Sequence, residues 1–239
     1  MDSLTIRLIM FILSKNIRLH TKTKISVGVI LLPTMLQSIN IPQDIKRLSH
    51  SPSAGNLIDQ ANDRIEALML ADDSITDSFI PCDFHLLDQS LTWMEQNQLL
   101  NGRRFCELGS GLGVAALLAS LHGLESVGIE IDSALVDQAN KFAKELNSTA
   151  KFYSGSFVPH GVSELLELAR KVEQAENNEG DVYEEIGMGF EDFDLFFVFP
   201  WPGDQKFYEA LFQAKAASNA LLLSYHGRNG MQLVRKTNS

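Results

Sequence analysis

The sequence predicts a doubly wound α/β domain, a mostly parallel sheet with helices on both faces, preceded by an N-terminal helical extension. Three observations predict it. From residue 104 onward, apolar runs of strand length alternate with longer runs of helical periodicity, the pattern of crossovers onto a parallel sheet. The first strand, Arg104 to Leu108, opens directly onto Gly109-Ser110-Gly111-Leu112-Gly113, and the second runs into the carboxylates of Glu130 and Asp132. A later run, Asp194 to Phe199, is apolar through Leu195-Phe196-Phe197-Val198-Phe199, as a strand covered on both faces must be.

The elements follow in order. Residues 1 to 50 hold seven Lys/Arg against two Asp/Glu, so the net charge of −10 divides into +5 for this leader and −15 for the remainder. Leu8 to Leu13 is a short apolar run, and Ile25 to Leu36 is interrupted by Gly28 and Pro33. Neither reaches the roughly 18 to 20 residues that span a bilayer. Residues 1–55 are therefore read as a poorly ordered extension, with an export signal or a stretch upstream of the true start as the other readings. Ser51, Pro52, Ser53 and Gly55 mark a polar linker over residues 50–56. The domain is placed at residues 56–239, including a helical preface over 56–100. In that preface Ile58, Ala61, Ile65, Leu68 and Met69 recur at helical spacing, and Asp83 caps a second helix with an inner stripe of Leu86, Leu87, Ser90, Leu91 and Met94.

Beyond the preface the expected order is strand Arg104–Leu108, helix Leu112–Leu121, strand Ser126–Ile131, helix Ser133–Leu146 and strand Ala150–Tyr153. A helix over Val162–Glu176 and an acidic surface insertion over Glu173–Asp192 come next. After the strand ending at Phe199, Asp204 caps a helix reaching Ala217, Ala220–Ser224 forms a buried strand, and Met231–Lys236 supplies one last edge strand.

Composition narrows the function classes. Two cysteines, one in a strand and one in a loop, give neither a disulfide framework nor a metal cluster, and the six histidines do not pair at ligand spacing along the sequence. No metal is expected, and the setting reads as reducing and cytoplasmic, without a membrane partner. A strongly acidic domain repels phosphate backbones, which disfavours nucleic acid as a partner.

The glycine run carries the chemistry. Gly109, Gly111 and Gly113 let the backbone approach a ligand and adopt positive φ, and the helix that follows turns its free N–H groups towards the same place. Glu130, at the end of the next strand, is placed to accept hydrogen bonds from both hydroxyls of a ribose. This is the plan of a nucleoside-cofactor site. A dinucleotide fingerprint wants Gly-x-Gly-x-x-Gly, whereas here the third glycine comes one residue early.

The pattern Glu107-x-Gly109-x-Gly111-x-Gly113 resembles motif I of the class I S-adenosylmethionine (SAM) dependent methyltransferases, a Rossmann-like family, over roughly residues 80 to 239. The resemblance implies that SAM is the cofactor and that Glu107, Gly109, Ser110, Gly111, Gly113 and Glu130 contact it. It also implies that Ser156, standing where many members have aspartate, takes the adenine amino group, with Phe157 packing on the adenine face or serving as ordinary core. Phe199-Pro200-Trp201-Pro202 falls at the family's motif IV but lacks the side-chain acceptor of the amino-directed nucleic-acid enzymes. Phe199, Pro200, Trp201 and Tyr225 are read as walls of a substrate pocket, and His226 as the candidate general base. The family's sheet usually ends in a seventh strand hairpinned to the sixth, and the chain looks too short for the full complement. The expected function is methyl transfer to a small molecule or a protein side chain; the alternatives are an NAD(P)-dependent oxidoreductase and a non-catalytic SAM-binding regulator.

Overall fold

The structure is a computed structural model that describes residues 36–71, 82–160, 162, 181–201 and 203–237. Strands β2 (Arg104–Leu108), β3 (Glu125–Glu130), β4 (Lys151–Ser154), β5 (Leu195–Val198) and β6 (Leu221–Tyr225) lie parallel in one sheet. β7 (Met231–Lys236) returns antiparallel on β6, and β1 (Leu36–Ile39) adds to the far side of β7. Among the described residues this makes a seven-stranded mixed sheet in the order β1-β7-β6-β5-β2-β3-β4. The chain winds outward from β2 through β3 to β4, then crosses back to β5 and β6. The order therefore reverses between β2 and β5, which is where open α/β sheets bind ligands.

Helices cover both faces. α1 (Pro52–Ala71), α2 (Phe84–Gln96), α3 (Val114–Leu121) and α4 (Ser133–Glu145) pack with Phe105, Leu195, Phe197, Leu221 and Leu223 on one face. α5 (Val182–Ile186) and α6 (Gln205–Lys215) pack with Cys106, Val127, Phe196, Val198 and Leu222 on the other. Strand alternation explains the division, since successive side chains of β2, β5 and β6 point to opposite faces. On the second face Phe196 stacks on Phe190 at 4.3 Å between centroids and meets Phe193 and Phe212 edge-on. The doubly wound α/β expectation is met, and no helix among the described residues is long and apolar enough to cross a membrane.

Several local expectations are corrected. Met231–Lys236 is a strand but an interior one, because Leu36–Ile39, from the stretch assigned to the extension, covers its outer edge. That N-terminal strand also supplies the complement for which the chain looked too short. The expected linker at 50–56 is helical from Pro52: Ser51 Oγ accepts from Ala54 N at 3.1 Å, and proline at the first helical position forfeits an N–H that has no partner there anyway. Residues 181–192, read as part of a surface insertion, bury Val182, Tyr183 and Phe190. Asp83 caps its helix as expected and Asp132 caps α4, whereas Asp204 stands at the N-cap of α6 without a side-chain cap bond. The helix expected over Val162–Glu176 lies, beyond Val162, outside the described residues.

Candidate functional site

The site begins where β2 ends. Gly109 N and Ser110 N both donate to Ile129 O at 2.9 Å, which ties the loop to the neighbouring β3. Gly109, Gly111 and Gly113 all have positive φ, of 73°, 51° and 74°. At Gly113 the requirement is double, because an added Cβ would also fall 2.1 Å from the Phe152 ring. At Gly111 nothing lies within 4 Å of such a Cβ, so this backbone borders open space. Ser110 turns inward instead, its Cβ 2.8 Å from where a Cβ on Gly128 would stand, and its buried hydroxyl has no hydrogen-bond partner.

Two carboxylates bracket the loop. Glu130 spans from the end of β3 to the loop itself: Oε2 accepts from Gly111 N at 2.8 Å and Oε1 from Asp132 N at 3.1 Å. Each oxygen keeps a second lone pair for a further donor. Glu107 Oε2 accepts from Ala116 N at 2.9 Å, in the first turn of α3. It thereby serves the helix N-terminus that Gly113, having no side chain, cannot cap. Burial pushes the Glu107 carboxyl up to about 8, against the lowering effect of the Ala116 and Ala115 N–H groups and with a further push from Glu130. A neutral Glu107 at pH 7 is an acid that can donate as well as accept.

Beside Glu130, Gly155 N donates to Glu130 O at 2.9 Å and brings Ser156 to the same edge. Ser156 Oγ accepts from Val158 N at 3.2 Å and retains its proton for another partner. Phe157 does not join this edge. It is 2% exposed, stacks on Tyr208 with centroids 5.5 Å apart, and its carbonyl accepts from Tyr183 Oη at 2.6 Å. Of its two expected roles, core is the one the packing supports, and the ring is removed from the candidate ligand set.

The residues expected at the acceptor end separate into two groups. Phe199 meets Tyr225 edge-on at 5.0 Å on the face of α1 to α4, with the Asp83 backbone turned towards the Tyr225 hydroxyl. Pro200 is buried, while Trp201 leaves 47% of its surface exposed. His226 leaves Tyr225 and joins Ser224, the pair bonding Nε2 to Oγ at 2.8 Å. Burial lowers the His226 pKa, with Glu209 opposing, so its ring is neutral at pH 7.

Sequence reasoning missed Gly128, Cys82 and Ser224. Gly128 leaves the space that Phe152 and Ser110 fill, and a glycine inside a strand was its signal. Cys82 stands half-buried beside the site, its thiol pushed up by burial and by Glu107. Ser224 is a small hydroxyl residue that follows three leucines, Leu221-Leu222-Leu223, in a buried strand, which was signal enough. Two concavities among the described residues lie elsewhere: one of about 240 Å³ beside Glu95 and His122, and one of about 340 Å³ among Leu57, Leu121 and Leu146, both at the amino ends of the strands.

No family model matches the chain, and no curated protein does. Solved structures similar to it include an RNA methyltransferase from Salinibacter ruber in complex with S-adenosyl-L-homocysteine, at 19% identity over 67% of this chain and 95% of that one, with a TM-score of 0.45. A hypothetical protein of Thermus thermophilus matches at 17% identity over 67% and 90%, with a TM-score of 0.45. A SAM-dependent methyltransferase from Clostridium acetobutylicum follows at 8% identity over 69% and 56%, with a TM-score of 0.41. The likeness to these structures is one of chain trace alone.

Proposed function

We propose that this chain is a SAM-dependent methyltransferase. The observation that carries the reading is the Gly109–Gly113 loop at the reversal of strand order, open at Gly111 and bridged there to the Glu130 carboxylate. Loop and carboxylate fit a nucleoside: backbone that admits close approach, and an acceptor pair with spare lone pairs for two ribose hydroxyls. Glu107 and the first turn of α3 would hold the amino-acid end, and Ser156 the adenine edge. When bound, SAM supplies a methyl group already activated by its sulfonium, which leaves positioning and exclusion of water to the protein. Phe199, Pro200 and Trp201 would wall the acceptor. His226, neutral and oriented by Ser224, would take a proton from an incoming amine or hydroxyl.

The acceptor is proposed to be a small molecule or a protein side chain, on the strength of the −10 net charge. Titration calorimetry with S-adenosylhomocysteine tests the reading, with NAD as control and Glu130→Ala as site variant. The expected result is S-adenosylhomocysteine binding that weakens about tenfold or more in the variant, the value of a charge-assisted hydrogen bond. Binding of NAD alone would transfer the site to a dinucleotide enzyme, and absence of both from folded protein would end the cofactor reading. Acceptor screens then run with amines, peptides and RNA, so that transfer to RNA would overturn the charge argument.

A further inference from the structure

Away from the glycine loop, the fold gathers side chains that lie far apart in sequence. His50 precedes α1, His85 and Asp88 lie in the first turns of α2, and His122 closes the C-terminus of α3. The Asp88 carboxylate, 3% exposed, stands between them: Oδ2 accepts from His50 Nδ1 at 2.6 Å and Oδ1 from His122 Nε2 at 2.8 Å.

The bond to Asp88 fixes the tautomer of a neutral His50. With Nδ1–H donated to the carboxylate, Nε2 is left as a bare lone pair. That lone pair faces His85 Nδ1 at 3.2 Å, at the surface, where His85 is exposed and the His50 side chain is 23% exposed. Two ring nitrogens at this distance are bridged either by the Nδ1–H of one His85 tautomer, donated to the His50 lone pair, or by a metal ion that both rings ligate. Tetrahedral coordination with metal–nitrogen bonds of about 2.0 to 2.1 Å puts two ligand nitrogens about 3.3 Å apart. A carboxylate behind the ligating imidazole, which sets its tautomer and raises its basicity, is the usual outer partner of such a histidine.

We infer that His50 and His85, with Asp88 behind His50, form a binding site for a divalent transition-metal ion, with water completing the coordination. Among the described residues no group of three or more metal-ligating side chains converges, so the site is of the open, two-imidazole kind. Imidazole ligands select zinc, nickel or copper over magnesium or calcium. An ion held there would fasten the segment around His50 to the start of α2.

The test is calorimetric titration of the untagged, chelator-stripped full chain with Zn(II), read alongside the thermal midpoint and a parallel titration with Mg(II). The expected result is about one equivalent of Zn(II) bound and a raised midpoint, because an ion that binds only the folded chain stabilises it. His85→Gln, at an exposed position and checked for native circular dichroism, should lose about tenfold or more in affinity, as metal sites lose on disturbance of their ligand shell. His160→Gln, outside the cluster, should bind as the unaltered chain does. Failure of the folded chain to take up Zn(II), unchanged binding in His85→Gln, or equal binding of Mg(II) would each overturn the inference. None of these readouts depends on methyl transfer.

Discussion

Gly111 and Gly113 share a positive φ but differ in what surrounds them, and the difference is measurable. Gly113→Ala adds a left-handed penalty to a collision with Phe152, so it should cost about 2 to 4 kcal/mol in urea unfolding. Gly111→Ala meets nothing and should cost only about 1 kcal/mol, while weakening S-adenosylhomocysteine binding disproportionately if the cofactor passes over that residue. Glu107 gives a pH signature. Its folded pKa of about 8 lies above the ordinary 4.5, so its contribution to stability is fully present below pH 4.5 and is lost as pH rises through 8. Glu107→Gln keeps an acceptor for Ala116 N and should raise the denaturation midpoint at pH 8.5 while leaving it nearly unchanged at pH 4.5. These loop residues were legible in the sequence because their meaning is local, a glycine spacing after a strand. Phe157 and the parting of Tyr225 from His226 were not, because which face a side chain takes depends on strand register and on what packs above it.

Among the elements, the central strands and helices were readable almost to the residue, β2 at Arg104–Leu108 being the cleanest, since uninterrupted apolar runs and aspartate caps are contained within each segment. β1 was not readable: Leu36-Gln37-Ser38-Ile39 is short, and only its pairing with β7 makes it a strand. The Ser51-Pro52 pair was a helix-start signal hidden inside a stretch that composition marked as linker. α5 was obscured by the acidic residues around Val182 and Tyr183, whose burial comes from contacts distant in sequence. Deleting residues 1–41 should lower stability by about 2 to 3 kcal/mol, from the packing of Ile39 and Ile41 on the core, and leave β7 as an unpaired edge. Urea midpoints and light scattering at matched concentration would show both effects, and a truncated chain as stable and monodisperse as the full one would refute them.

For the molecule as a whole, the titrating clusters set a pH window. Burial works against the Asp88 charge, but hydrogen bonds from His122 and His50 hold its pKa below the usual value, so its contribution is lost as pH falls through that lowered pKa. Burial likewise opposes the His122 charge, but Asp88 and Glu95 hold its pKa above the usual value, and its contribution is lost as pH rises through it. With Glu107 adding a second loss on the alkaline side, stability should peak in mildly acidic solution. Asp88→Asn should flatten the acid limb and shrink the alkaline limb to the part due to Glu107 when midpoints are measured at pH 4, 6 and 8 in chelator.

The position of β1 bears on biosynthesis. Leu36 pairs with Lys236, so the strand made early must wait for almost the whole chain before its partner exists. Contacts of such separation form late and slowly. A nascent chain interrupted before Met231 would therefore carry two orphans at the same end of the sheet, β6 without its outer neighbour and β1 without a seat. Loss of the codons for Met231–Lys236 would be felt at Leu36–Ile39, and a cell's quality control would see this sheet as unfinished until that strand arrived.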